Sequence, residues 1–250
     1  MLLTLIYDAL LTVAYPQACH VCGGSVEERR LGVACRACWE KTRVFTGAET
    51  ICWKCGALSP GIDLAAEVRE ELREEIRCRR CDSQSFTAAR AVGFYENALR
   101  QSVLSLKRQP HVSSHLINLL LDAAQREPLN KTKRIIPVPL HQNRQRERGF
   151  NQASVIAEVL SKSLRLPLDE ATLLRIGASE KYRAGLDPKG RRDTVAGVFE
   201  VRYPKLVEGE NVLLVDDVFT TGATVNSCAE ALLASGAGNV YVLTIARGKS

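Results

Sequence analysis

Val212-Leu213-Leu214-Val215-Asp216-Asp217-Val218-Phe219-Thr220-Thr221-Gly222-Ala223-Thr224 decides the fold of this 250-residue chain. Four consecutive apolar residues predict a strand buried on both faces. Two carboxylates stand at its exit, followed by hydroxyls, a glycine and a helical pattern from about Ala223 to Ala234. Strand, tight turn and helix in that order form one βα unit. Amide groups at a helix start and the positive end of its dipole suit an anion. The turn Thr220-Thr221-Gly222-Ala223-Thr224 offers three hydroxyl donors, and its glycine lets the backbone wrap closely around a phosphate. Asp216 and Asp217 can accept from neighbouring sugar hydroxyls, so the ligand this order suits is a sugar phosphate. The G-x-x-x-x-G-K signature of a P-loop is missing, and so is the dinucleotide fingerprint.

Outward from this unit the α/β pattern continues. Ala88–Tyr95, Arg134–Val138 and Asn239–Ile245 read as strands, and 96–106, 116–121 and 152–160 as helices. Strands alternating with helices imply a mostly parallel sheet flanked by helices, with ligands gathered at the strands' carboxyl ends. Val225, Cys228, Ala229 and Leu232 share one helix face, which makes Cys228 a core thiol.

The first third of the chain reads differently. Eight of the nine cysteines fall in four C-x-x-C pairs: Cys19/Cys22, Cys35/Cys38, Cys52/Cys55 and Cys78/Cys81. Each pair can wrap a turn around a metal, and two turns complete a closed four-sulfur site of the structural zinc kind. Two structural zinc ions are therefore expected, with sequential or interleaved pairing both geometrically open. The metal stands in for a core too small to hold such a segment on its own. Between the third and fourth pairs, 62–76 reads as an acidic helix, a poor surface for nucleic acid. Residues 1–85 are read as an N-terminal helix with a double zinc ribbon, and 86–250 as the α/β domain.

Charge follows the same division. The formal net charge is +6, and eight thiolates with two zinc ions would bring it to +2. Residues 1–85 carry 11 basic and 12 acidic groups, and residues 86–250 carry 23 and 16. A general case for DNA binding from net charge fails, but the second part holds a basic excess. Leu2–Val13 is mostly apolar, interrupted by Asp8 and ended by Pro16, too short to span a bilayer and without the basic start of an export signal. It reads as a short amphipathic helix docked on a cytoplasmic protein whose thiols stay reduced.

The thirteen-residue string resembles the phosphoribosyl-pyrophosphate motif of type I phosphoribosyltransferases. With the cysteine pairs, and with Ile135-Ile136-Pro137-Val138-Pro139-Leu140, Arg144 and Arg148-Gly149-Phe150-Asn151-Gln152, the chain resembles the ComF family, which joins a zinc ribbon to such a domain. The resemblance implies a type I phosphoribosyltransferase-like fold that binds phosphoribosyl pyrophosphate with Mg²⁺. It implies transfer of the 5-phosphoribosyl group to an acceptor that the sequence does not name. Arg144 and Arg148 would meet the pyrophosphate from a loop after Val138-Pro139, Asp216 and Asp217 the ribose, and Thr220–Thr224 the 5-phosphate. The segment 174–199 would form a hood closing over the reaction. Arg183, Thr194 and Arg134 depart from the family pattern, which leaves the acceptor open. The family also implies a link to DNA uptake in natural transformation. The competing expectation is a non-catalytic protein that handles single-stranded DNA with DNA-uptake partners and keeps a sugar-phosphate site.

Overall fold

The computed structural model describes residues 15–47, 49, 52–58, 76–176 and 198–249. The apolar N-terminal helix, nearly all of the acidic helix and most of the hood, with Arg183 and Thr194, lie outside these residues. A short helix α1 (Arg36–Glu40) precedes β1 (Ala88–Phe94), α2 (Asn97–Leu106), α3 (Ser114–Gln125) and β2 (Arg134–Pro137). Then follow α4 (Gln142–Arg148), α5 (Gln152–Leu164), β3 (Leu173–Arg175), β4 (Phe199–Val201), β5 (Asn211–Phe219), α6 (Ala223–Ala234) and β6 (Asn239–Arg247).

Among the described residues, four strands form a parallel sheet in the order β1-β6-β5-β2, while β3 and β4 make a separate antiparallel pair. Strands buried on both faces must be apolar throughout, and Val212 to Val215 are fully buried. Alternate residues feed two cores. Leu213 and Val215 join Leu99 and Val103 of α2, Leu120 of α3 and Ile156 and Leu160 of α5. Val212 and Leu214 join Val225, Cys228 and Leu232 of α6. Cys228 is thus a core thiol, as its helix face predicts.

Three boundaries differ from the sequence reading. β5 continues through Phe219, because Val218 and Phe219 keep pairing with Ala246 and Arg247 of β6. The two carboxylates therefore lie inside the strand and not at its exit. Helix α3 starts before Leu116, where the Ser113 side chain accepts from the Leu116 amide. The stretch expected as a loop after Pro139 contains α4: its Gln, Arg and Glu residues carry little helix penalty, and His141 Nδ1 accepts from the Asn143 amide at 3.2 Å. Gly149, at φ 78°, ends that helix in the left-handed conformation. Asn151 then caps α5 through Oδ1 and donates from Nδ2 to the Val138 carbonyl at 3.0 Å, tying helix to sheet. Arg134, at the start of β2, pairs with buried Asp169 at 3.6 Å.

Candidate functional site

Strand alternation sends the two carboxylates of β5 to opposite faces. Asp217 turns toward α2 and α5, where Lys107 Nζ lies 3.3 Å from Oδ2. Gln152 Nε2 donates to the same oxygen at 3.4 Å, and its own Oε1 accepts from Arg148 Nη1 at 2.8 Å. A polar chain Arg148–Gln152–Asp217–Lys107 thus joins α4, α5, β5 and the residue that follows α2. Asp216 turns toward α6 and accepts its neighbour's amide, Asp217 N–H, at 2.8 Å. Burial first, and then the Asp217 charge beside it, push the Asp216 carboxyl up to about 7. A group poised there can hold or release a proton near neutral pH.

The turn that follows places a left-handed glycine and exposed threonines at the start of α6. Gly222 adopts φ 81°, and a Cβ on it would lie 2.8 Å from Phe219 Cζ, so glycine is required. Gly222 is buried, whereas Thr220, Thr221, Ala223 and Thr224 face solvent around it at the start of α6. Thr221 Oγ1 accepts from the Ala223 amide at 3.4 Å. Arg144 is exposed on α4, with Arg146 further along the same helix.

The structure therefore gathers Lys107, Gln152 and Arg148 on the Asp217 side of β5, leaves Asp216 on the opposite face, and starts the threonine turn directly after Phe219, where the same strand ends. Sequence reasoning missed Lys107. It lies 110 positions before Asp217 and carries no motif, so only the packing of α2 on the sheet brings it there. Gln152 stood within a quoted string without a role. Its signal is burial: a glutamine at the start of a helix with 6% exposure needs a polar partner.

The cysteines form two groups in sequential pairing, Cys19/Cys22/Cys35/Cys38 and Cys52/Cys55/Cys78/Cys81, each with its sulfurs within 4.8 Å of one another. Tetrahedral sulfurs at the zinc–thiolate distance of about 2.3 Å are about 3.8 Å apart. Cys22 and Cys35 are 3.8 Å apart, Cys52 and Cys81 3.5 Å, and Cys55 and Cys78 3.7 Å. Backbone amides also point at the sulfurs, Val21 and Cys35 at Cys19 and Cys78 at Cys52. Burial disfavours the Cys19 thiolate, but the amides of Cys35, Cys22 and Val21 outweigh it and bring its pKa down to about 6. The Cys55 thiol, with the amides of Cys55 and Cys78, brings Cys52 down to about 4 against burial. Both groups fit structural zinc.

No family model matches the chain. It is 30% identical over 246 residues to the DNA utilization protein YhgH of Escherichia coli O157:H7, which covers 95% of this chain and 99% of that protein. It is 35% identical over 127 residues to Competence protein F of Haemophilus influenzae, covering 50% of this chain and 55% of that one. Competence protein ComFC of Bacillus subtilis is 28% identical over 218 residues, covering 85% and 83%. Among solved structures, an adenine phosphoribosyltransferase from Leishmania donovani matches with a TM-score of 0.34 at 20% identity, over 58% of this chain and 54% of that one. A helix-flanked, mostly parallel sheet beside two four-cysteine groups defines the class: an α/β domain joined to a cysteine-rich region of the zinc-ribbon kind. Within that class the chain belongs to the ComF family. No helix among the described residues is long and apolar enough to cross a membrane.

Proposed function

We propose that the protein binds phosphoribosyl pyrophosphate at the end of β5 and transfers its 5-phosphoribosyl group to an acceptor, in a process of DNA uptake and use. The observation that carries this reading is the juxtaposition on one strand end of a carboxylate chain, Lys107–Asp217–Gln152–Arg148, with a glycine-dependent threonine turn opening a helix. The turn grips the 5-phosphate through backbone amides and hydroxyls, binding energy that orients the sugar. Asp217, held in place by Lys107 and Gln152, accepts from a ribose hydroxyl. Asp216, poised near neutral pH, accepts a second hydroxyl or a proton from the acceptor. Arg148 and Arg144 face the diphosphate as it leaves C1 with the bonding electrons, and their guanidinium forks match its oxygens. Mg²⁺ bound with the substrate supplies positive charge to that leaving group. Zinc in the two cysteine groups is structural. The family names "competence" and "DNA utilization" support the biological setting.

The test is to incubate zinc-replete protein with phosphoribosyl pyrophosphate and Mg²⁺, add candidate amines and nucleobases, and follow pyrophosphate. Acceptor-dependent release, lost when Asp216 and Asp217 are both changed to Asn, is the expected result. Release at the parental level in that variant contradicts the assignment.

A second reading is supported by the exposed arginines Arg144 and Arg146 on α4. In it the protein handles single-stranded DNA and keeps the sugar-phosphate site without turnover. Affinity for a single-stranded oligonucleotide that falls steeply with salt, in protein that releases no pyrophosphate with any acceptor, favours it.

A further inference from the structure

The second cysteine group is built into the wall behind the turn Thr220–Thr224. Arg247, the last residue of β6, is 4% exposed, an unusual position for an arginine. Its Nη1 donates to the Cys55 carbonyl at 2.7 Å, and its guanidinium carbon lies 5.6 Å from the centre of the Phe219 ring. Phe219 in turn blocks any side chain at Gly222 and packs edge-on against fully buried Phe86 at 5.9 Å. The next residue, Gly248, donates to the Phe219 carbonyl at 2.9 Å. A second line runs through the segment after Cys81. The Gln84 amide donates to the Cys81 carbonyl, and the Gln84 side-chain oxygen faces Gly222 without a hydrogen-bond partner. The Ser85 amide donates to Asn226 Oδ1 in the first turn of α6. Cys52, Cys55, Cys81, Phe86, Phe219 and Val225 share one apolar cluster.

We propose that Arg247 is a positioning residue that couples the second cysteine group to the phosphate turn, so that metal in Cys52/Cys55/Cys78/Cys81 holds Phe219 and Gly222 in their ligand-ready arrangement. Metal fixes the loop that carries the Cys55 carbonyl. That carbonyl anchors the guanidinium, and the guanidinium plane fixes the Phe219 ring against which Gly222 is folded. Loss of metal frees the carbonyl, leaves a buried guanidinium short of an acceptor, and loosens the turn. The first cysteine group makes no such contact among the described residues and has no such effect. Ligand affinity thereby becomes sensitive to thiol oxidation or chelation at one of the two groups. The consequence for ligand rests on reading Thr220–Thr224 as the phosphate site; the coupling itself does not.

Hydrogen exchange on the full-length, zinc-loaded protein tests the coupling without any ligand. In Arg247→Met, amides of 218–226 exchange at least about tenfold faster, while 212–215 stay protected and zinc content stays at two per chain. Arg247→Lys, which keeps a donor for the Cys55 carbonyl, recovers part of the protection. Cys81→Ser accelerates the same amides and Cys22→Ser does not. Titration with phosphoribosyl pyrophosphate and Mg²⁺ is the second arm, with affinity about tenfold weaker in Arg247→Met. Exchange in 218–226 equal to wild type in Arg247→Met overturns the proposal, even if Cys81→Ser unfolds the chain. Accelerated exchange in a protein whose wild type binds no phosphoribosyl pyrophosphate sustains the coupling and overturns only the ligand reading.

Discussion

The first cysteine group packs with α2 and α3: Cys19, Cys35 and Cys38 share a core with Trp39, Val103 and Leu116. Trp39 donates from Nε1 to the Leu31 carbonyl at 3.0 Å, and its ring meets His115 edge-on at 4.5 Å. The second group, by contrast, shares its core with Phe86, Phe219 and α6, on the face that Asp216 also addresses. Both groups have the same ligands and the same backbone knuckles. What separates them is the surface each is docked on, a helical back wall in one case and the wall of the candidate site in the other. Under the proposed coupling, identical metal chemistry serves two ends, one purely structural and one that bears on the candidate site.

The comparison can be broken by substitution. Cys38→Ser and Cys81→Ser should each reduce zinc content from two to one per chain and lower unfolding free energy by about 4 kcal/mol, read by denaturant titration with metal analysis. If Cys38→Ser weakens phosphoribosyl-pyrophosphate binding in folded protein as much as Cys81→Ser does, the distinction fails. The next largest effect is at Gly93, where the segment after the first group docks on β1. A Cβ there would lie 2.3 Å from the Arg43 carbonyl and 2.6 Å from Leu99 Cδ1, and Val44 bridges to Gly93. Gly93→Ala should cost about 3 kcal/mol, with Gly248→Ala, whose Cβ meets nothing within 4 Å, as the near-neutral control.

Asp216 supplies a pH-dependent test of the second face. Its carboxyl titrates at about 7 in the folded protein against 3.8 for an ordinary aspartate. The folded state therefore holds the proton more tightly than the unfolded one, and ionisation destabilises the fold as pH rises from about 4 to about 7. Asp216→Asn removes that penalty. The variant should match wild type below pH 3.8, gain through the interval, and exceed it above pH 7 by about 2 kcal/mol, roughly half of the ~4 kcal/mol to which the full shift corresponds, because Asp216 is only half-buried and solvent screens its charge. A pH-independent difference in thermal midpoint contradicts this account of Asp216. The smallest effect is at Lys107, which pairs with Asp217 from the other face: Lys107→Met should lower stability by about 1 kcal/mol, because the pair is partly solvated.

Local patterns made much of this legible. The apolar run 212–215 announced a doubly buried strand, and the order of carboxylates, threonines and glycine announced the turn and helix that follow. Four C-x-x-C pairs announced two four-sulfur groups, although spacing left their pairing open until the backbone brought Cys19 to Cys35 and Cys52 to Cys78. Long-range relations stayed hidden. Strand period places Asp216 and Asp217 on opposite faces, but only helix packing shows that Lys107 and Gln152 meet one of them. Arg247 ends an ordinary apolar strand, and nothing near it in sequence points to Cys55, 192 positions away. The helix of 142–148 is hard to see in the sequence because it has no buried face and lies between Pro139 and Gly149, loop punctuation that masks the helix propensity of its Gln, Arg and Glu residues.

The most direct measurement is a calorimetric titration of zinc-replete protein with phosphoribosyl pyrophosphate and Mg²⁺, beside a double variant with Asp216→Asn and Asp217→Asn at the same zinc content. The account predicts one saturable site in wild type and an affinity at least about a hundredfold weaker in the variant, the loss of two hydrogen bonds from charged groups. Equal affinities, or no binding by folded wild-type protein, would contradict it.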